Sequence, residues 1–207
     1  MFDIEDICSA LARYSPQVRD IPTTNERAAV GIIVAGSKKN LSICMIRRAK
    51  RKSDIWSGHV ALPGGRAQPR EIHNAAVVER ETQEEVGLHL IEAHRKGFLS
   101  DLEIRLAGRS RRLTLSSLIY CIGDILPVLH PGKEVAKAFW VPSSKLWDVA
   151  NTTFLTLNDR RDLMVYPAIR VDAHIILGVT LRVLTHFSDV IGHPLSHFEE
   201  IPGLRRT

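Results

Sequence analysis

Apolar residues recur along this chain with two different periods. Ile4, Ile7, Cys8 and Leu11 share one face of a 3.6-residue helix, which predicts a short amphipathic helix over residues 1–15 that Pro16 stops. Pro22, Thr23, Thr24 and Asn25 keep the next stretch irregular. Two apolar runs, Ala28 to Ala35 and Leu41 to Ile46, flank Gly36-Ser37-Lys38-Lys39-Asn40 and predict a hairpin with a longer loop. A basic polar stretch follows (Arg47, Arg48, Lys50, Arg51, Lys52), and His59 to Leu62 then reads as a short strand halted by Pro63-Gly64-Gly65. The clearest helical period covers residues 72–86, where Ala75, Val78, Thr82 and Val86 form a narrow apolar stripe. Gly87 stands where a left-handed C-terminal cap belongs. Leu88 to Leu99 and Leu113 to Ile122 read as strands, separated by a segment that includes the polar loop Ala107-Gly108-Arg109-Ser110-Arg111-Arg112. Ala138 to Val141 predicts another strand, and Pro142 opens a short helix to Ala150. His174 to Val190 reads as a second long helix, with Ile176, Val179, Val183, Phe187 and Val190 on one face. Strands before and between two helices predict a mixed α/β domain over residues 27–191. Residues 1–26 are expected to form an N-terminal helical extension, and residues 192–207 a loosely held polar tail.

Composition narrows the class. The 207 residues are 44% hydrophobic and 25% charged, enough apolar side chain for a core and too much for a disordered chain. No apolar run approaches the ~20 residues of a membrane span. The acidic start Met1-Phe2-Asp3-Ile4-Glu5-Asp6 is unlike a signal peptide. Cys8, Cys44 and Cys121 lie far apart, which argues against a disulfide framework or a zinc site and fits a reducing, cytoplasmic setting. A net charge of +5 suits an anionic partner, and phosphorylated small molecules fit it as well as nucleic acid does.

The chemistry concentrates in Arg80-Glu81-Thr82-Gln83-Glu84-Glu85-Val86-Gly87-Leu88. Each helical residue turns ~100°, so Glu81, Glu84 and Glu85 share one arc of about 100°. Three such carboxylates repel one another, and a solvated face normally alternates its signs. A divalent cation with a preference for oxygen ligands, Mg²⁺ or Mn²⁺, would neutralise them.

With Gly65, Glu71 and the Gly87-Leu88 stop, this run resembles the Nudix box, Gly-x5-Glu-x7-Arg-Glu-U-x-Glu-Glu-x-Gly-U, where U is aliphatic. Thr82 stands at the first U, and eight residues separate Glu71 from Arg80 where the pattern has seven. Trp56-Ser57-Gly58-His59-Val60-Ala61-Leu62-Pro63-Gly64-Gly65, Glu134-Val135 with Phe139-Trp140-Val141-Pro142, Tyr166-Pro167 and Leu177-Gly178-Val179-Thr180 resemble the coenzyme A pyrophosphatase-like branch of that family, which also tends to carry the extra box residue. The likeness covers roughly residues 27–190. Ile46, Ala49 and Leu62 depart from that branch's usual residues.

The resemblance implies an α/β/α sandwich with a mixed β-sheet, and an enzyme that hydrolyses a diphosphate linked to another moiety with Mg²⁺ or Mn²⁺. By it, Glu84 and Glu85 are metal ligands, Glu81 is a ligand or the general base, and the backbone carbonyl of Gly64 or Gly65 adds an oxygen. Arg80 holds a box carboxylate in place, and Glu134 reads equally as an exposed loop acid or a further acid of the site. Arg47 and Arg48, ending a strand before the box, are candidates to clamp phosphate through forked donors. The expected partner is a small-molecule diphosphate rather than nucleic acid or a membrane, and a homodimer is left open. Two other readings stand beside this one: a Nudix-fold module that senses a nucleotide without catalysis, though such modules usually lose box glutamates, and a basic nucleic-acid-binding protein, for which the chain lacks a reading motif.

Overall fold

The structure is a computed structural model that describes residues 2–19, 26–38, 40–50, 58–105, 112–159 and 162–195. The readings placed on Pro22 to Asn25, Lys39, Arg51, Lys52, Trp56, Ser57, the 107–111 loop and most of the 192–207 tail lie outside the described residues.

The first helix, α1 (Ile4–Arg13), begins in a capping box in which Asp3 accepts from the Asp6 amide and Asp6 from the Asp3 amide. It is not peripheral: Ile7, Ala10 and Leu11, with Phe2 ahead of them, are buried in the larger of two cores. The expected hairpin is β1 (Arg27–Ala35) and β2 (Ser42–Arg48), paired antiparallel with Val34 opposite Ile43. Next come β3 (Val60–Ala61) and β4 (Gly64–Arg66). The first of these, β3, does stop ahead of Pro63, as expected, but a second strand starts directly after it. The two glycines lie in that second strand, with Gly64 opposite Val30 and Gly65 opposite Ala29. The central helix is α2 (Asn74–Val86), and Gly87 closes it at φ 73°, donating its N–H to the Gln83 carbonyl.

The main sheet is completed by β5 (Arg95–Phe98), β6 (Leu102–Arg105), β7 (Arg112–Cys121) and β8 (Val135–Pro142). Its order is β3-β2-β1-β7-β5, with β4 added to β1, β6 to β7 and β8 to β2. Only β1 and β7 run parallel, which makes the sheet mixed. Alternation along the strands sends side chains to two cores. Ala29, Ile33, Cys44, Ile46, Leu118 and Tyr120 pack with Val77, Val78 and Val86 of α2. Ile32, Val34, Ile43, Met45 and Ile119 face the other way, onto α1 and α4 (Gly178–Val190). Helices thus cover both faces of the sheet. No helix among the described residues is long and apolar enough to cross a membrane.

Three elements differ from the sequence reading. Of the strand expected over Leu88 to Leu99, only β5 is extended, because Glu92–His94 turns as a 3-10 helix. The helix expected from Pro142 to Ala150 is split between α3 (Ser143–Leu146) and a 3-10 turn at Val149–Asn151. The helix expected from His174 begins only at Gly178. Residues ahead of it form β11 (His174–Leu177), paired with β10 (Asp162–Val171), which pairs with β9 (Thr152–Asp159). Asp172 at φ 51° and Ala173 make the two-residue turn, and His174 and Ile176 are buried with the period of a strand.

Candidate active site

A carboxylate on the apolar stripe of α2 defines the site. Val77, Val78, Thr82 and Val86 are buried as an amphipathic helix requires, and Glu85 is buried among them at 4% exposure. Its Oε2 accepts from the Gly64 amide at 2.9 Å, and its Oε1 lies 3.8 Å from an Arg48 terminal nitrogen. Burial is the largest influence on its pKa. The Gly64 N–H and Arg48 oppose it, the charges of Glu81 and Glu134 add to it, and the group is pushed up from 4.5 to about 8. Glu81, one turn earlier, is also raised, first by burial and then by Glu84 and Glu71, against the pull of Arg80.

The β4 glycines make this approach feasible. Gly64 has φ 151°, and a Cβ there would sit 2.3 Å from the Ala29 carbonyl oxygen. A Cβ on Gly65 would sit 2.1 Å from Glu81 Oε1, so the Glu81 carboxylate rests directly on the backbone of β4.

Arg80 is the hub. Its Nε donates to Glu71 Oε1 at 2.7 Å, one terminal nitrogen meets Glu81 Oε1 at 2.9 Å and Glu84 Oε2 at 3.0 Å, and the other donates to the Arg66 carbonyl at 3.2 Å. Glu71 also accepts from the Gln68 amide, and its own carbonyl accepts from Arg27. The Glu71 carboxyl feels burial pushing it up, but hydrogen bonds from Arg80 and Gln68 hold it below the ordinary carboxylate range. With eight residues between them, Glu71 still reaches the Arg80 guanidinium.

The remaining candidates separate. Glu84 is largely exposed, whereas Glu81 and Glu85 are not. Glu134 sits in the loop before β8, its backbone carbonyl accepting from the Ala49 amide, close enough for its charge to raise Glu85. Arg48 faces α2, but Arg47 does not: successive strand residues point to opposite faces, and Arg47 lies on the side of His174. Arg47 and Arg48 therefore stand on opposite faces of β2, and Arg48 is the one on the Glu85 side. Glu71 belongs to the Arg80 network, although the sequence reading left it without a role.

Among the described residues no three acidic, histidine or cysteine side chains stand together as an ion's ligand set. Arg80 supplies the counter-charge to Glu81 and Glu84. The donors nevertheless suit a hard cation. Glu81, Glu84, Glu85 and the Gly65 carbonyl are all oxygen donors, which Mg²⁺ and Mn²⁺ prefer.

Comparison with known proteins agrees with this arrangement. The NUDIX domain profile matches residues 25–160. The chain is 31% identical over 142 residues to an uncharacterized protein of Schizosaccharomyces pombe, covering 66% of this chain and 43% of that one, so it spans less than half that relative's length. It is 27% identical over 176 residues to an uncharacterized Nudix hydrolase, NudL, of Photorhabdus laumondii, covering 82% of this chain and 87% of that one. A MutT/nudix family protein from Enterococcus faecalis shares the fold with a TM-score of 0.52 at 15% identity, covering 91% of this chain and 67% of that one. A profile match over more than half of the chain, and a box whose residues meet around Arg80 and the β4 glycines, place this protein in the NUDIX domain family.

Proposed function

We propose that the protein is a pyrophosphohydrolase that cleaves the diphosphate linkage of a nucleoside diphosphate derivative, with coenzyme A or a related compound as its substrate class and Mg²⁺ or Mn²⁺ as its cofactor. The observation that carries this reading is Glu85, a carboxyl group buried against the Gly64 amide with its pKa raised to about 8. A structural helix gains nothing from such a residue. A proton-transfer or cation-binding group gains a great deal, because a base works best when its pKa lies near the working pH.

Glu81, Glu84, Glu85 and the Gly65 carbonyl would hold the ion. When bound, Mg²⁺ or Mn²⁺ neutralises charge on the diphosphate and acidifies the attacking water. The chain's own side chains supply the rest. Arg80 fixes Glu81 and Glu84 through one guanidinium, so the two carboxylates keep their spacing as charge develops. Arg48, on the same face as Glu85, presents a forked donor to a phosphate oxygen. Whichever of Glu81 and Glu85 is not bound to the ion would take the proton released by water.

Support for the coenzyme A-like class comes from the sequence resemblance upstream of the box and in the Leu177 to Thr180 segment, which spans the β11–α4 junction. The three cysteines are free thiols, in keeping with a cytoplasmic setting.

A panel of coenzyme A, ADP-ribose, NADH, dinucleoside polyphosphates and nucleoside triphosphates, each with Mg²⁺ or Mn²⁺ and with products identified by mass, tests the reading. Cleavage between the two phosphates of a diphosphate-linked compound is expected. Cleavage of triphosphates alone overturns the substrate class, and no turnover anywhere on the panel overturns the enzyme in favour of a binding module.

A further inference from the structure

On the face of the main sheet away from α2, Arg47 of β2 stands directly opposite Lys137 of β8. Directly opposed strand residues have Cβ atoms roughly 4.5–5.5 Å apart, and like charges there destabilise the sheet. Both side chains are exposed, and neither forms an ion pair among the described residues. The nearby acid, Asp172, is already held by Lys145 at 2.6 Å. The patch thus carries three cations against one carboxylate.

The floor of the patch is built rather than incidental. Phe139, two residues along β8 from Lys137, is stacked on His174 with ring centroids 4.1 Å apart and planes at 15°. The Lys137 ammonium lies 5.7 Å from the Phe139 centroid. His174 is 7% exposed, and its Nδ1 finds no hydrogen-bond partner among the described residues. Burial, then the charges of Lys137 and Arg47, hold the His174 imidazole below its ordinary basicity. Two unneutralised cations over a rigid aromatic floor are arranged to receive a dianion, which replaces their mutual repulsion with attraction. A phosphomonoester carries −1.5 to −2 charges near neutral pH, with three acceptor oxygens matched to a guanidinium fork and an ammonium.

We propose that Arg47 and Lys137, above the Phe139–His174 stack, form a binding site for a phosphomonoester that is separate from the carboxylate site on α2. The phosphate group is either carried by the substrate, apart from its diphosphate, or is free inorganic phosphate. Only the first source rests on the hydrolase reading. Arg47 and Arg48 are adjacent on opposite faces of β2, so a substrate using both sites passes round the end of that strand beside β3, where Arg47 pairs with Val60.

The test uses the full chain. Inorganic phosphate is titrated while the imidazole resonances are followed by NMR, with His174→Gln assigning the His174 signals and His186, in α4, as the remote reporter. Phosphate should shift His174 and leave His186 in place. Arg47→Gln/Lys137→Gln should weaken phosphate binding about tenfold or more, the scale of losing charge-assisted hydrogen bonds. Its melting temperature should hold or rise, since a repulsive pair is removed. A His174 signal that phosphate does not move, or equal phosphate affinity in the double variant, overturns the site. The source is read from KM ratios for substrate pairs that differ by one phosphomonoester, coenzyme A against its 3′-dephospho form and NADPH against NADH. Loss of the phosphorylated member's advantage in the double variant assigns the site to substrate. An unchanged ratio in a double variant whose phosphate binding is weakened assigns it to the free anion. Phosphate binding at His174 with no turnover of any substrate sinks the hydrolase reading and leaves this site standing.

Discussion

Glu85 places a carboxyl group on the stripe of α2 where the neighbouring side chains are Val78, Thr82 and Val86. Its pKa is about 8 in the folded protein and 4.5 without the surroundings of the fold. Between those values the folded state binds more protons than the unfolded chain. The Glu85 contribution to stability is therefore fully present below about pH 4.5 and is lost as pH rises through about 8. Removing the charge should matter most in alkali. In EDTA, Glu85→Gln should melt well above the wild type at pH 8.5 and much closer to it at pH 5, since each kcal/mol moves the melting temperature of a chain this size by roughly 2–4 °C. Identical melting curves at pH 8.5 would show that the buried carboxylate carries no such cost. The same variant should lose roughly 10²–10⁴-fold in turnover if Glu85 handles a proton. Arg80 makes a second prediction at this scale. Its guanidinium serves Glu71, Glu81 and Glu84 at once, and an ammonium has no such fork. Arg80→Lys should lower kcat at least about tenfold with KM nearly unchanged, and Glu71→Gln added to it should cost little more, because both disturb one network. Additive losses in that double-mutant cycle would place Glu71 outside the network.

The α2 helix is held at its C-terminal end by a loop from another part of the chain. His130 donates its amide to the Val86 carbonyl at 2.9 Å and Gly132 to the Glu85 carbonyl at 3.0 Å, so the loop satisfies carbonyls that the end of a helix leaves without partners. A Cβ on Gly132 would lie 1.9 Å from the Glu84 carbonyl oxygen, and that atom belongs to rigid backbone. Gly132→Ala should therefore lift the loop off α2, speed hydrogen exchange at the His130 and Gly132 amides and cost about 1–3 kcal/mol, while Lys133→Ala, an exposed control, should do neither. Unchanged exchange in the glycine variant would mean that the loop does not dock on the helix. None of this docking was legible in the sequence, because it depends on a contact across some 45 residues. What was legible followed from local signals. The α2 stripe ends at Gly87, the β1–β2 runs flank a polar loop, and the box spacing gathers Glu81 and Glu85 on one face of a helix. The misreadings have equally physical causes. Ile176 and Val179 mimic a helical stripe across the β11–α4 junction, though His174 and Ile176 alternate inward as strand residues. Gly64 and Gly65 look like a turn, but their missing side chains let β4 lie against Glu81 and Glu85. Neighbouring arginines at 47 and 48 are candidates together in the sequence, and a strand turns them to opposite faces.

At the scale of the whole molecule, the first helix is the tie between layers. Phe2 is 3% exposed and meets Trp147 edge-on at 4.8 Å and Phe187 at 6.3 Å, joining the segment after α3 to α4. Ile7 and Leu11 are buried in the same core, and Leu11 lies against Gly97 of β5. Tyr14 closes the arrangement, its hydroxyl 2.6 Å from Ser100 Oγ and 3.0 Å from His186 Nε2. Burying one large apolar side chain is worth about 1.5–3 kcal/mol. Phe2, Ile7 and Leu11 together thus approach the net stability of an ordinary domain, about 5–15 kcal/mol. The segment ahead of β1 should therefore behave as part of the domain and not as an appendage. A chain lacking residues 1–14 should lose its cooperative thermal transition or fail to stay soluble, and the milder Phe2→Ala should cost about 3–5 kcal/mol, the range for emptying an aromatic site in a core. Differential scanning calorimetry of both, beside the full chain, decides the matter. A truncated chain that melted cooperatively within a few degrees of the intact protein would show that β1 to α4 fold as a complete unit without α1. The core formed by Ile32, Ile43, Ile119 and Phe187 would then have to close over the space left by Phe2, Ile7 and Leu11.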